Sequence, residues 1–289
     1  GADRAVFHAD NAYDLSDVEI ASYRCKSNTQ SHTAFRGFGG PQGVIVIEAI
    51  LGDIARTLGL DAQDVRLANL YGKDARSGRN VTHYQMAVED NILHELLPQL
   101  EQTARYRQRQ AEIAAWNAQS AVLKRGIAIT PVKFGISFTA TLFNQAGALV
   151  HVYTDGSVQV NHGGTEMGQG LHTKVAQVVA DELGVPLPQV LVTGSATDMV
   201  PNASATAASS GTDLNGKAAQ AAARTVRDNL AAIVCGLDGC GAGAVEFRGG
   251  QVITPKTTRA FADVVKEAYA NRIQLWSDGF YRTPKIHYD

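Results

Sequence analysis

The chain has 289 residues, with 26 Lys and Arg against 28 Asp and Glu, and a formal net charge of −2. A balance this even excludes a polyanion binder, which needs a basic excess on at least one face. At 45% hydrophobic and 19% charged residues the chain is too apolar for disorder. Its longest apolar stretch, Val44 to Ala55, is broken by Glu48 and Asp53 and is too short for a bilayer.

The opening, Gly1 to His8, reads as the middle of a strand. The strand-like character continues from Arg4 to Ala34, with Val18 to Tyr23 the best alternating segment. Phe35 to Gln42 is a glycine-rich turn. Val44 to Leu58 is predicted to be a helix, with Val44, Ile47, Leu51, Ile54 and Leu58 on one stripe and Gly59 ending it. Asp61 caps a second short helix over Gln63 to Leu70. Asn91 to Leu100 and Thr103 to Gln119 are also helical. The arginines of the latter (Arg105, Arg107, Arg109) mark a solvated face.

The character changes near Lys124, which predicts two parts, 1–123 and 124–289. Gly126 to Thr139 and Ala148 to Gln159 read as strands, with Asp155-Gly156 a hairpin turn in the second. Gly170 to Leu183 is a helix, Gln189 to Thr193 a strand, Asp198 to Ser210 a loop of small residues, and Asp213 to Cys235 a long alanine-rich helix. The tail holds strands at Val245–Phe247 and Gln251–Ile253, a helix from Arg259 to Tyr269, and a last strand near Arg272–Trp276. Helices and strands mix without strict alternation, so the expected fold class is α+β, or mixed α/β. The absence of an initiator Met and the abrupt end at His287-Tyr288-Asp289 suggest a piece of a longer polypeptide. No targeting segment is visible. The three cysteines, Cys25, Cys235 and Cys240, read as reduced thiols of a cytoplasmic protein.

Three loops of small residues each lead into a helix: Phe35–Gln42, Gly163–Gly170 and Thr206–Thr212. Main-chain N–H groups at helix starts carry partial positive charge and favour anions. Together the loops point to a large anionic cofactor enclosed by main chain. Neither the phosphate loop Gly-x4-Gly-Lys-Ser/Thr nor the dinucleotide fingerprint is present, since Thr173 stands where the third glycine of the latter would be. The esterase elbow Gly-x-Ser-x-Gly is missing too. The histidines, His8, His32, His83, His94, His151, His162, His172 and His287, lack zinc-site spacing; His162 and His172 flank a glycine-rich loop. Arg36 offers a forked donor to an oxyanion, Gln169 projects between two glycines, and Phe38 and Phe138 offer flat faces for a planar ring.

The blocks Thr33–Gln42, Gly135–Thr139, Gly163–Lys174, Val200–Asn202, Thr206–Ser209 and Gly279–Pro284 resemble, in order and over nearly the whole chain, the molybdopterin-binding domain of the xanthine dehydrogenase and aldehyde oxidase family. The resemblance implies a molybdenum-pyranopterin cofactor and hydroxylation of a purine, hypoxanthine or xanthine, toward urate. A glutamate would act as base, and electrons would leave through 2Fe–2S clusters to FAD and NAD. It implies that Arg4 binds the purine and stabilises transition-state charge, that Phe38 and Phe138 clamp the ring, and that Thr139 contacts substrate. It places Arg36, Gly168, Gln169, Ala207, Ala208, Ser209, Ser210, Gly211 and Thr212 against the cofactor, with Arg36 and Ala208 beside the metal and no side-chain ligand. Gly211 stands where the family has Ser. The family's base lies in a Gly-x-Gly-Glu-Pro loop that these residues do not contain, and Glu166 belongs to another block. The chain alone is therefore expected to be inactive, with an iron–sulfur and flavin module as partner and a dimer of such units as the assembly. Neither nucleic acid nor a membrane is an expected partner. Aldehyde oxidation and a cofactor-free, non-catalytic segment are the alternatives.

Overall fold

The computed structural model describes residues 1–31 and 34–286. Thr33, His32 and His287 lie outside the described residues. Helices and sheets mix, as a fold of the α+β class requires. The chain packs as two units, Gly1–Gly135 and Ile136–Ile286.

In the first unit, α1 (Ala2–Phe7) lies against α2 (Gly40–Leu58), which is followed by α3 (Ala62–Asn69), α4 (Leu93–Thr103) and α5 (Tyr106–Gln119). Ile47, Leu51 and Ala55 of α2 build a core with Tyr13, Val65, Leu97 and Tyr106. The Asp61 side chain caps α3 by accepting from Gln63 N at 2.9 Å. The opening segment is helix, not strand. A six-residue helix has little stability alone, and α1 draws it from close contact with α2. A Cβ on Gly39 would run into the Gly1 carbonyl, and one on Gly43 into the Ala5 carbonyl. Val18 to Tyr23 forms no strand and is largely exposed, so its alternation serves no sheet.

The stretch 126–135, expected as strand, has no ladder either. Side chains meet several of its backbone groups instead. Asn11 Nδ2 donates to Pro131 O at 2.9 Å, Lys133 N donates to Asn11 Oδ1 at 3.1 Å, and Gly135 N donates to His8 Nε2 at 3.0 Å. These bonds tie the stretch to the first unit, so the division falls at 135/136, while the change in sequence character sits at 123/124.

The second unit holds a four-stranded sheet in the order β3-β2-β1-β7. Its strands are β1 (Gln145–Val152), β2 (Val158–His162), β3 (Val190–Val192) and β7 (Trp276–Arg282). β1 pairs antiparallel with β2, Val150 opposite Val160, and with β7, Ala148 opposite Gly279; β2 and β3 are parallel. The turn at Asp155-Gly156 is present, with Ser157 N donating to Asp155 Oδ1 at 2.9 Å. α6 (Leu171–Leu183) and α7 (Gly211–Asp238) pack with the sheet around Val150, Val160, Val175, Val179, Ala218, Ala222, Val226 and Leu230. A small antiparallel sheet, β4 (Glu246–Arg248), β5 (Gln251–Ile253) and β6 (Thr258–Ala260), leads to α8 (Phe261–Ala270). β7 begins where the last strand was expected to end. Its buried positions are the small Ser277 and Gly279, while Trp276 and Phe280 are exposed. The hydrophobic pattern therefore marks its outer face.

Candidate functional site

The site residues of the second unit sit at the starts of α6 and α7. Thr165 N donates to the Thr206 hydroxyl at 2.8 Å, joining the loop before α6 to the loop before α7. Ser137 N donates to Ala208 O at 2.9 Å, which brings Phe138 and Thr139 to the same cluster. Phe138 is fixed by Asn144, a buried residue that the sequence did not single out. Phe138 N donates to Asn144 Oδ1 at 2.7 Å, and Asn144 Nδ2 donates to Phe138 O at 2.8 Å. The half-buried Phe138 ring lies 5.5 Å from that of Phe143.

These loops contain left-handed backbone at non-glycine residues. Ser137, Ala208 and Ser209 hold φ values of 84°, 55° and 56°, the left-handed region that non-glycine residues enter at a cost of about 1–3 kcal/mol each. Ser210 turns its hydroxyl back to Ala207 O at 3.0 Å, so no side chain caps α7. The first turn of α7, with Gly211 and Thr212, presents main-chain donors uncovered by any cap. α6 is different. Glu166 Oε1 accepts from Gly168 N at 2.8 Å and Gly170 N at 3.0 Å, and Oε2 accepts from His172 N at 3.1 Å. These bonds hold the Glu166 carboxyl below the ordinary glutamate value, His172 N contributing most. Gln169, expected to reach a ligand, turns its amide onto its own loop. It accepts from Met167 N at 2.5 Å and donates to Thr165 O at 2.8 Å.

Behind the loops His162 is fully buried, and its Nδ1 accepts from Gly164 N at 3.0 Å. Burial, then the neighbouring His172 5.3 Å away, pushes its pKa down to about 4. Ser195 Oγ donates to Gly164 O at 3.0 Å, and Asn215 Nδ2 donates to Gly211 O at 2.9 Å. The Gly164 peptide is thus held from both sides. Buried His162 Nε2 and Asn215 Oδ1 have no partner among the described residues.

In the first unit Arg36 and Phe38 are exposed on the turn before α2, Phe38 at φ 49°. Arg4 is buried on α1. Its guanidinium donates to Gly135 O at 2.6 Å and lies 5.3 Å from the Phe134 ring centroid. His8 Nδ1 donates to Arg4 O at 2.8 Å while Nε2 accepts from Gly135 N, closing a ring of bonds around α1. Desolvation lowers the pKa of both Arg4 and His8, so His8 sits here as a neutral ring.

A phosphate-bearing pterin needs main-chain donors at close approach more than side-chain charge. The uncapped start of α7, the left-handed Ala208-Ser209 pair and the orphaned polar atoms behind them fit such a group. No cluster of three or more His, Cys, Asp or Glu side chains able to hold a metal occurs among the described residues.

Comparison with known proteins agrees. Two sequence profiles described as molybdopterin cofactor-binding domains match residues 1–70 and 99–289. The chain is 42% identical to the xanthine dehydrogenase/oxidase of Gallus gallus over 287 residues, 99% of this chain and 19% of that protein. It is 40% identical to the xanthine dehydrogenase of Dictyostelium discoideum over 99% of this chain and 19% of that one. The chain therefore spans about a fifth of the length of these relatives. Among solved structures, the aldehyde oxidoreductase of Desulfovibrio desulfuricans ATCC 27774 superposes with a TM-score of 0.69 at 19% identity, covering 99% of this chain and 28% of that one. Quinoline 2-oxidoreductase from Pseudomonas putida 86 gives 0.68 at 23% identity, over 87% and 34%. The chain belongs to the molybdopterin cofactor-binding domain family, as a segment of the xanthine dehydrogenase type.

Proposed function

We propose that the chain is the cofactor- and substrate-holding part of a cytoplasmic xanthine dehydrogenase that hydroxylates hypoxanthine and xanthine toward urate. The identity of about 40% to xanthine dehydrogenases along 99% of the chain carries this reading. The molybdenum-pyranopterin supplies oxygen transfer and accepts the electrons when bound. In this reading Ala207, Ala208, Ser209, Ser210, Gly211 and Thr212 line it with main-chain donors. Gly168 and Gln169 shape the neighbouring loop, and Arg36 and Ala208 lie beside the metal. Phe38 and Phe138 orient the purine ring, Thr139 hydrogen-bonds it, and Arg4 steadies negative charge that builds on the heterocycle. The base comes from outside these residues, since the 289 contain no Gly-x-Gly-Glu-Pro, and the segment alone does not turn over. An iron–sulfur and flavin module takes the electrons to NAD, and two such units form the dimer.

The test uses the full-length protein. Arg4→Leu lowers kcat/KM for xanthine by about 100-fold or more, the scale of losing one charge-stabilising donor. A small aldehyde loses only a few-fold, and molybdenum per chain stays unchanged. Equal losses on both substrates replace the purine reading with aldehyde oxidation. Loss of molybdenum shows that Arg4 acts on folding instead.

A further inference from the structure

Cys235 and Cys240 meet at the C-terminal end of α7, with Sγ atoms 3.5 Å apart. The meeting follows from how the helix ends. Gly239 takes a left-handed φ of 63°, and both Gly239 N and Cys240 N donate to Cys235 O, at 2.7 and 3.2 Å. The chain therefore folds back over its last turn and returns the second thiol to the first. Both cysteines are half-buried, open to a small reagent, while Cys25 is exposed in the other unit. The carboxylate that acts on Cys235, Asp238, is committed elsewhere. It accepts from Arg259, from the Thr254 hydroxyl at 2.6 Å and from the Thr257 hydroxyl at 2.6 Å. The sulfurs therefore have each other as their nearest reactive neighbours.

We propose that Cys235 and Cys240 form a reversible intrachain dithiol–disulfide pair that reacts with a hydroperoxide. In the first step the thiolate of one cysteine attacks the distal peroxide oxygen. The O–O bond breaks, that sulfur becomes a sulfenic acid, and the leaving hydroxide or alkoxide takes up a proton. In the second step the other thiol loses its proton and attacks the sulfenic sulfur. The S–S bond forms and the S–O bond breaks, releasing water. Two thiols are oxidised by two electrons and one peroxide is reduced. The sulfurs need to close from 3.5 Å to about 2 Å, the length of a disulfide. A ring this small constrains little chain entropy in the unfolded state, so a low-molecular-weight thiol reopens it. Burial, then the proton shared with Cys240, pushes the Cys235 thiol up, so less of it is thiolate at neutral pH and the attack on peroxide quickens as pH rises. The site lies at the opposite end of α7 from Ala207–Thr212, and its chemistry stands independently of any cofactor.

Both cysteines fall in one tryptic peptide, residues 228–248. The full-length protein, treated with a modest excess of hydrogen peroxide and then alkylated with iodoacetamide, should yield this peptide unalkylated and lighter by two hydrogens. Dithiothreitol should restore two alkylated sites, and Cys25 should remain alkylatable throughout. In Cys235→Ser and in Cys240→Ser the lighter peptide disappears, and dimedone labels the remaining cysteine. Peptide 228–248 alkylated at both sites after peroxide overturns the proposal. So does separate oxidation of the two sulfurs without a cross-link, or a cross-link that joins either one to a different cysteine.

Discussion

At His162 the hydrogen bonds fix the proton. Nδ1 accepts from Gly164 N, so the neutral ring carries its hydrogen on Nε2. Its value of about 4 lies below the ordinary 6.5. Between these values the unfolded chain binds more protons than the folded one, so stability rises with pH and is lost as pH falls from 6.5 toward 4. The penalty for this residue is on the order of 3 kcal/mol. His162→Asn keeps an acceptor for Gly164 N, as in an Asx turn, and removes the titration. Urea unfolding of the two proteins at pH 7 and near pH 4.5 should show a smaller loss in the variant; equal losses would assign the pH dependence to other groups. Glu166 titrates in the opposite sense. Its pKa is lowered, so the stability it gives is present above the ordinary glutamate value and disappears as pH falls through its folded value. Glu166→Ala should speed hydrogen exchange at Gly168, Gly170 and His172 at neutral pH, while amides of α8 remain unchanged. The loops themselves are legible in the sequence as runs of Gly and small residues. Asn144 and Asn215 are not: each serves main chain a few residues back, Phe138 and Gly211, at a spacing that matches no turn or cap motif.

Helix packing sets the next scale. Gly43 lets α1 rest on α2, and Gly43→Ala should cost about 1–3 kcal/mol through overpacking. Gly236, within α7, has open space around its Cβ position, so Gly236→Ala should stabilise by about 0.5–1 kcal/mol. Chemical denaturation of both variants checks the pair, and similar shifts of the same sign would contradict it. Helices α2, α3 and α7 are legible from periodicity, capping and alanine content, because each carries its own stripe or cap. α1 is not, since its stability comes from glycines that lie far along the chain. The stretch 126–135 looks like strand in its run of apolar residues, yet its partners include side chains of His8 and Asn11 rather than a ladder. The hairpin between β1 and β2 is local and is read from Asp155-Gly156.

Over the whole molecule, apolar side chains remain on the surface. Ile45 (67%), Val46 (55%), Ile50 (47%) and Leu58 (63%) are exposed on α2, and Trp276 and Phe280 on β7. Patches of this kind drive association. Produced as these 289 residues only, the chain should self-associate in light scattering, and Ile45→Lys with Ile50→Glu should reduce the effect without lowering helix content. No helix among the described residues is long and apolar enough to cross a membrane. The near-zero charge leaves colloidal repulsion too weak to offset such contacts.

The six residues of α1 have a consequence for reading variants. Arg4 rides on an element that cannot hold its own shape, and its address is written in Gly39 and Gly43. On the proposed reading of Arg4 as a substrate residue, a lesion at either glycine would mimic loss of the guanidinium and shift substrate preference while the other proposed substrate residues stay unchanged. A scan confined to that neighbourhood would score these glycines as silent background, although they decide where the charge sits.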